Sequence, residues 1–520
     1  MGNKNNKNNN NKIQIEQTFF FKDTIRQKNN NQNNKSSLEH NPLITQINLD
    51  PFLFYEKIKQ IGSGSFATVY LVKNKKTGVI RAMKAIKKIQ YDEFKNTIEE
   101  SESNIINEIN ILMKMDHPNI VKIFEFYISS THYHLVTEYC PGGSLFNFIQ
   151  SNDGPFTEIQ ASYIMHQLFS VVNYCHKMKI IHRDIKPENI LINNNDNGFV
   201  TIKVCDFGTS LRFNEGNDIQ KKIVGSLYYI APEVLKKNYN SKCDIWSCGV
   251  IMYILLTGDL PFGGKDYPSV TKKILNGSFN KTVLNKRCKA CKDLIEKLLE
   301  KDIDKRIRAD QALNHKWFSI FKSKEIKNDI EDSELIQKYI DNLKNFKINS
   351  TISEFALAYL VHNHPELKEV ELACKIFSKI DTKGNGKITK DELYNGLSSF
   401  YQSENLKNDV DKIFKNFSNF KDISKNHKDN KYLEYEKFVR GSIDKKIFLT
   451  EESLKFAFNY LDKGGKGEIN ADDICNIFLE GNLGKYDIEK AKKIIKESTK
   501  NKTEIIKYED FCEIMRVFLD

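Results

Sequence analysis

An ordered set of short motifs restricts this chain more than any other feature. A strand-like run leads into Gly62-Ser63-Gly64-Ser65-Phe66-Ala67-Thr68-Val69. Glycine puts no side chain in the way, so such a loop lets backbone N–H groups approach phosphate oxygens. Alone the signal is weak: a plain hairpin turn has the same texture, and the third glycine is Ala67. Arg81-Ala82-Met83-Lys84 then ends a strand-like run on a lysine able to grip α- and β-phosphates, and Glu108 on the next amphipathic helix can pair with it. His182-Arg183-Asp184-Ile185-Lys186-Pro187-Glu188-Asn189 sets Asp184 and Asn189 five apart. Asp206-Phe207-Gly208 comes 22 residues after Asp184 (206 − 184), and Ala231-Pro232-Glu233 follows. Each piece is common by chance; the ordered set is not.

At 520 residues the chain has room for two to four domains. The formal charge of +11 has no nucleic-acid motif beside it, so no nucleic-acid partner is expected. No apolar run is long enough to cross a membrane as a helix, and Met1–Lys12 has no apolar stretch of a secretory signal. Ten cysteines scattered from Cys140 to Cys512 read as reduced thiols of a cytoplasmic protein. Cys288 and Cys291 have metal-like spacing but no second pair. Residues 1–53 are rich in Asn and Lys and are expected to be disordered. Met1-Gly2-Asn3-Lys4 is close to a myristoylation start, with Asn6 where Ser or Thr is wanted; membrane association is expected only if Gly2 is acylated, and then weakly.

From Phe54 short apolar alternations such as Val69-Tyr70-Leu71-Val72 predict strands. After Pro141 the pattern is mainly helical as far as Phe318. An α+β fold of two lobes, sheet-rich then helical, with a cleft between them, is expected. Residues 319–350 are helical and charged. Residues 351–520 repeat a helix, a polar loop and a short strand, with copies centred on Ile388, Leu433, Ile469 and Ile506, spaced by roughly forty residues.

At the motifs quoted above, residues 54–318 resemble a eukaryotic protein kinase. The resemblance implies ATP and Mg²⁺ as cofactors and proteins as substrates. It makes Asp184 the base that orients the acceptor hydroxyl, Lys186 a contact to the transferring phosphate, Lys84 and Glu108 the phosphate-gripping pair, and Asn189 and Asp206 the Mg²⁺ ligands. It assigns Ile61, Gly62, Ser63, Gly64, Ser65, Phe66, Ala67, Val69, Ala82, Lys84, Thr137, Glu138 and Cys140 to the nucleotide. Lys186 two residues after Asp184, followed by Pro187-Glu188-Asn189, resembles serine/threonine rather than tyrosine kinases. Asp244, Trp246 and Gly249 resemble the helix bracing the catalytic loop, Arg306 the partner of Glu233, and Ser226 a hydroxyl touching that loop. Arg183 asks for an anion in the activation segment, and Glu215 or Asp218 could supply it. The rival class is a binding-only pseudokinase scaffold, which normally lacks one of Lys84, Asp184 or Asp206; all three are present. Gly142-Gly143-Ser144-Leu145-Phe146 has serine where relatives that prefer arginine three residues before the acceptor carry glutamate.

The order of kinase, junction (319–350, with Leu343-Lys344-Asn345-Phe346-Lys347) and four EF-hand-like repeats (351–520) resembles the calcium-dependent protein kinases. The resemblance implies an all-α calmodulin-like domain that binds the junction helix within the chain and controls the kinase. A calcium loop needs oxygen ligands at positions 1, 3 and 5, glycine at 6 and a bidentate acid at 12. Loop one offers Asp381, Asn385, the carbonyl of Lys387 and Glu392, but Lys383 stands at position 3. Loop two has Lys428 at 3 and Lys437 at 12. Loop three has Gly464 at 3, Lys466 at 5 and a short Asp473 at 12. Loop four starts at Thr499 and has Glu504 where glycine belongs. Residues 351–520 carry 29 Lys and Arg against 30 Asp and Glu (29 − 30 = −1), too even a balance for a domain that concentrates carboxylates around cations. Weak Ca²⁺ binding at loop one is expected, less elsewhere. The alternative is a calcium-insensitive tail serving as brake or docking platform.

Overall fold

A computed structural model describes residues 43–64, 67–88, 95–196, 199–213, 220–325, 333–347, 350–398, 405–418, 432–479, 488–499 and 502–519. Gly2 and Asn6, Ser65 and Phe66, Glu215 and Asp218, and Lys428 lie outside the described residues. The chain divides into two compact units, one of Ile44–Met113 and Ile123–Thr137, the other of Lys114–Lys122 and Glu138–Asp520.

Among its described residues the first unit is a six-stranded sheet with one α-helix. Its strands are β1 (Thr45–Ile47), β2 (Tyr55–Ser63), β3 (Ala67–Asn74), β4 (Ile80–Lys87), β5 (Ile123–Ile128) and β6 (His132–Thr137), in the spatial order β1-β5-β6-β4-β3-β2. All neighbours are antiparallel except β1, which runs parallel to β5. Between β3 and β4 the Asn74 side chain accepts from the backbone nitrogens of Lys76 and Thr77, and Gly78 takes the left-handed φ of +72° the turn requires. Val72, Met83, Tyr127 and Val136 pack with Tyr55 as the buried face. Helix α1 (Lys95–Leu112) buries Ile105, Glu108 and Ile109.

β1 corrects the expected boundary. Residues ahead of 54 are ordered: Thr45 pairs with Glu125 and Ile47 with Tyr127, and Asp50 caps a short 3₁₀ turn at Pro51–Leu53. Three residues are too few to show a period, and what orders them is the free edge of β5, far away in sequence.

The second unit is mainly helical. Helix α2 (Glu158–Lys177) starts with a reciprocal capping box between Thr157 and Gln160. Helix α3 (Lys242–Thr257) is buried from Cys243 to Leu256 and stops at Gly258, whose φ is +81°. Beyond residue 350, the strand Lys387–Ile388 pairs antiparallel with Leu433–Glu434, and Glu468–Ile469 with Ile506–Lys507. Ile388 faces Leu433 and Ile469 faces Ile506, the centres read from the repeat. Helix α4 (Ser333–Asn345), in the junction, lays Ile336, Ile340 and Leu343, with Phe346 just beyond, into the same core as Phe417, Phe438, Phe458 and Phe511. Phe346 stacks on Phe417 with ring centres 5.1 Å apart. Emptying such a buried ring site costs about 3–5 kcal/mol, so this helix is an integral element of the C-terminal core. No helix among the described residues is long and apolar enough to cross a membrane.

Candidate active site

In the first unit, strand alternation turns Lys84 of β4 toward α1. Its ammonium lies 2.9 and 3.1 Å from the two carboxylate oxygens of Glu108, which is buried while Lys84 stays a quarter exposed. A charged, bidentate contact of this kind fixes the lysine as well as neutralising it. Ile61, Gly62 and Ser63 end β2, Gly62 pairs with Val69 across a register shift, and the Gly64 nitrogen donates to the Ala67 carbonyl at 2.8 Å. Ala82 faces Thr137 across the β4–β6 ladder.

In the second unit, Asp184 is held from three sides. Lys186 Nζ is 2.7 Å from one carboxylate oxygen, the Ser226 hydroxyl donates to the other at 2.9 Å, and Asn189 Nδ2 donates to the Asp184 carbonyl and carboxylate at 2.9 and 3.1 Å. Lys186 also donates to Ser226 at 2.9 Å, so that hydroxyl touches the catalytic loop as expected. Gly225, at φ +104°, sits so close that a Cβ there would lie 2.6 Å from the Arg183 carbonyl. Asn189 spends its amide nitrogen on Asp184, leaving its side-chain oxygen for a hard cation, and Asp206 brings a carboxylate. These donors fit Mg²⁺. Arg183 and Asp206 both have positive φ, +70° and +63°, without being glycine, the kind of strain found at functional sites.

That strain is braced from below. Asp244 on α3 accepts from the backbone nitrogens of His182 and Arg183 at 3.0 and 2.9 Å and meets His176 at 3.0 Å. Burial alone would raise the Asp244 carboxyl; the hydrogen bond and charge of His176 and the loop amides more than offset it and hold it below the usual carboxylate range. Phe207 is buried against the His182 ring, centres 4.8 Å apart. Both terminal guanidinium nitrogens of Arg306 donate to the Glu233 carboxylate in a buried pair, as the motif implied. Arg183 donates to the Thr209 carbonyl and to the Tyr239 hydroxyl.

Glu138 is more committed than its assignment implied. Its carboxylate takes the Lys203 ammonium at 3.0 Å and the Lys122 backbone nitrogen at 2.9 Å. Its backbone nitrogen is committed as well, donating to the Lys122 carbonyl at 3.0 Å. Burial would lower Lys203, but the Glu138 charge more than compensates and raises it. Lys203 escaped sequence reading; its one signal is a lysine inside the apolar strand Phe199–Val204. Cys140 is buried, and burial pushes its thiol up. Ser144 caps the helix Leu145–Gln150 by accepting from Asn147. Cys288 caps another, accepting from Cys291 while its thiol donates to Glu158 at 3.0 Å, which accounts for the pair without a metal.

The hand loops keep their shape through their own amides. In loop one, Asp381 accepts from Asn385 and Gly386, and Glu392 from Lys383 and Thr389. Loop three repeats this: Asp462 accepts from Lys466 and Gly467, Asp473 from Gly464 and Asn470. Lys383 Nζ stands 3.5 Å from Glu392. Burial pushes Asp381 up to about 6. In loop two Lys437, at the place of the bidentate acid, pairs with Glu434 at 3.3 Å; in loop four Glu504 pairs with Lys496 at 3.1 Å. Among the described residues no three His, Cys, Asp or Glu side chains are gathered as a metal centre. Among the described residues, loop one joins acids at both ends to the Asn385 side chain between them, so it fits a calcium ion in part.

Loop one is also a contact surface, which the sequence did not announce. Asn173 of α2 donates to the carbonyls of Lys383 and Gly384 at 2.7 and 3.1 Å. A Cβ on Gly384 would meet Leu313 and Ser170 at 2.9 Å, and one on Gly386 would meet the Tyr174 ring at 2.9 Å.

The protein kinase domain family matches residues 55–318. The chain is similar to calcium-dependent protein kinase 4 of Plasmodium berghei (strain Anka), 35% identical over 474 residues that cover 89% of this chain and 86% of the relative. It is also similar to calcium-dependent protein kinase 5 of Plasmodium falciparum (isolate 3D7), 32% identical over 506 residues, 92% of this chain and 84% of the relative. With the Asp184 and Lys84 constellations in place, these matches make the chain a protein serine/threonine kinase that belongs to the calcium-dependent protein kinase family.

Proposed function

We propose that this kinase is governed by its C-terminal domain mainly through metal-independent docking, with calcium acting weakly and only through loop one. The observation that carries the reading is the set of lysines at ligand positions, Lys383, Lys437 and Lys466, together with the closure of loops one and three by their own backbone amides. An ammonium in a divalent-cation site removes a ligand and adds repulsion. A switch needs a ligand that favours one state by differential binding energy, and a site without its oxygens has little to give.

ATP brings the phosphoryl group, and Mg²⁺, when bound, neutralises charge on its phosphates. Lys84, kept in place by Glu108, would meet the α- and β-phosphates. Asn189 and Asp206 would hold the metal. Asp184 accepts the proton of the serine or threonine hydroxyl, and Lys186, bonded to both Asp184 and Ser226, meets charge developing on the transferred group. Calcium, where it binds, would take Asp381, Asn385, the Lys387 carbonyl and Glu392. Ser144 gives no carboxylate to a substrate arginine, so preference for arginine three residues before the acceptor should be weak. Acylation of Gly2 would add only marginal membrane attachment.

The test is phosphorylation of a generic peptide by the full chain, in calcium and in chelator, beside a chain lacking 340–520. The truncation should change activity more than chelation does. Strong activation by micromolar calcium would overturn the reading.

A further inference from the structure

A line of charged contacts runs from the second hand to the hinge. Lys122 is the residue before β5. Its backbone nitrogen donates to Glu138 Oε1 at 2.9 Å, and its carbonyl accepts from the Glu138 nitrogen at 3.0 Å. The other Glu138 oxygen holds Lys203 at 3.0 Å. In the opposite direction the Lys122 ammonium reaches Glu436 at 3.3 Å and lies 5.6 Å from the Tyr435 ring centre. Glu436 also meets His362 Nδ1 at 3.0 Å, and its backbone nitrogen donates to Asp116 at 3.3 Å. The Lys122 side chain is only 11% exposed. Burial would raise the Glu436 carboxyl, but Lys122 and His362 more than offset it and hold it well below its usual range.

Two facts make this more than a surface ion pair. Glu436 sits in the first turn of helix α5 (Tyr435–Ser442), the exiting helix of the hand whose final ligand position is Lys437. That hand has lost its calcium chemistry and keeps a carboxylate aimed at the catalytic lobe. Lys122, for its part, is bonded by both main-chain groups to Glu138, which lies between Thr137 and Cys140 in the stretch the kinase resemblance assigns to the nucleotide, here called the hinge. Without Glu436, a mostly buried ammonium must turn to solvent or compete with Lys203 for Glu138, and either shift moves residue 138.

We infer that the second hand is a metal-independent docking element whose Glu436 sets Lys122, and that Lys122 is a positioning residue for the nucleotide-binding hinge. The tail thereby tunes affinity for ATP. This rests on the reading of metal-independent docking above.

The test uses the full chain in chelator. It measures KM for ATP and kcat with a peptide substrate, and separately the Kd of a fluorescent ATP analogue. Glu436→Gln and Lys122→Met should each raise KM and Kd about fivefold while kcat stays within about twofold. Lys122→Arg should behave as the native chain. The double variant should be no worse than the weaker single, since both break one contact. Should Lys122→Met fail to fold, Glu436→Gln and Lys122→Arg still decide. Unchanged KM and Kd, a fall in kcat alone, or additive losses would overturn the inference. A native chain that binds nucleotide but transfers phosphate only when calcium is restored would sink the metal-independent reading above, while the Kd series would still judge this one.

Discussion

The catalytic loop around Asp184 and hand loop one around Asp381 are built alike and differ in what they can do. Each holds buried or half-buried acids in a web of hydrogen bonds. Around Asp184 the partners are Lys186, Ser226 and Asn189, the residue types phosphoryl transfer needs. Around Asp381 and Glu392 the partners are the loop's own amides, with the Lys383 ammonium beside the acid that should grip calcium. Hydrogen bonds to its own amides can therefore hold such a loop's fold whatever its ligand set. Reading function from such a loop means reading its ligating atoms, and the fold is no substitute.

The largest effect expected is on the catalytic side. Asp184→Asn removes the proton acceptor while its neighbours stay placed, and should cut peptide phosphorylation by about 10²–10⁴-fold. Near-native turnover would break the comparison at its stronger end.

The next test separates loop one from loop three. Both carry glycines at positive φ, but Gly384 is pressed on α2 while a Cβ on Gly465 or Gly467 would meet nothing within 4 Å. Gly384→Val should destabilise the chain by about 2–5 kcal/mol, combining overpacking with left-handed strain. Gly465→Val carries the strain alone, about 1–2 kcal/mol. Thermal unfolding should rank them so. Equal shifts would mean that loop one is not a docking surface.

A smaller effect is a gain. Lys383→Asp replaces the ammonium with the missing oxygen ligand and should tighten calcium at loop one by about tenfold or more. The same titration on Lys466→Asp should gain less, because Asp473 is a short acid at position 12. No gain from Lys383→Asp would show that something other than the lysine limits the site.

Much of this was legible in the sequence, for a physical reason. Phosphoryl transfer fixes residue types at fixed spacings, so Lys84, Asp184, Asn189 and Asp206 could be named before any fold was known. The hand strands were legible because one buried residue per repeat recurs, and Ile388 and Ile469 do face Leu433 and Ile506. What stayed hidden were pairings between distant segments: β1 on β5, Lys203 with Glu138, Asn173 with loop one, and Lys122 with Glu436. Their residues are ordinary locally, and only the tertiary fold brings them together. Strand β1, inside the stretch expected to be disordered, was missed for the same reason.

The most direct measurement is calorimetric titration of calcium into the full chain at physiological ionic strength. The expected result is no site of micromolar affinity and at most one weak site, abolished by Glu392→Gln. Two or more micromolar sites would contradict the account, for they would show that the lysines at the ligand positions do not disable these hands.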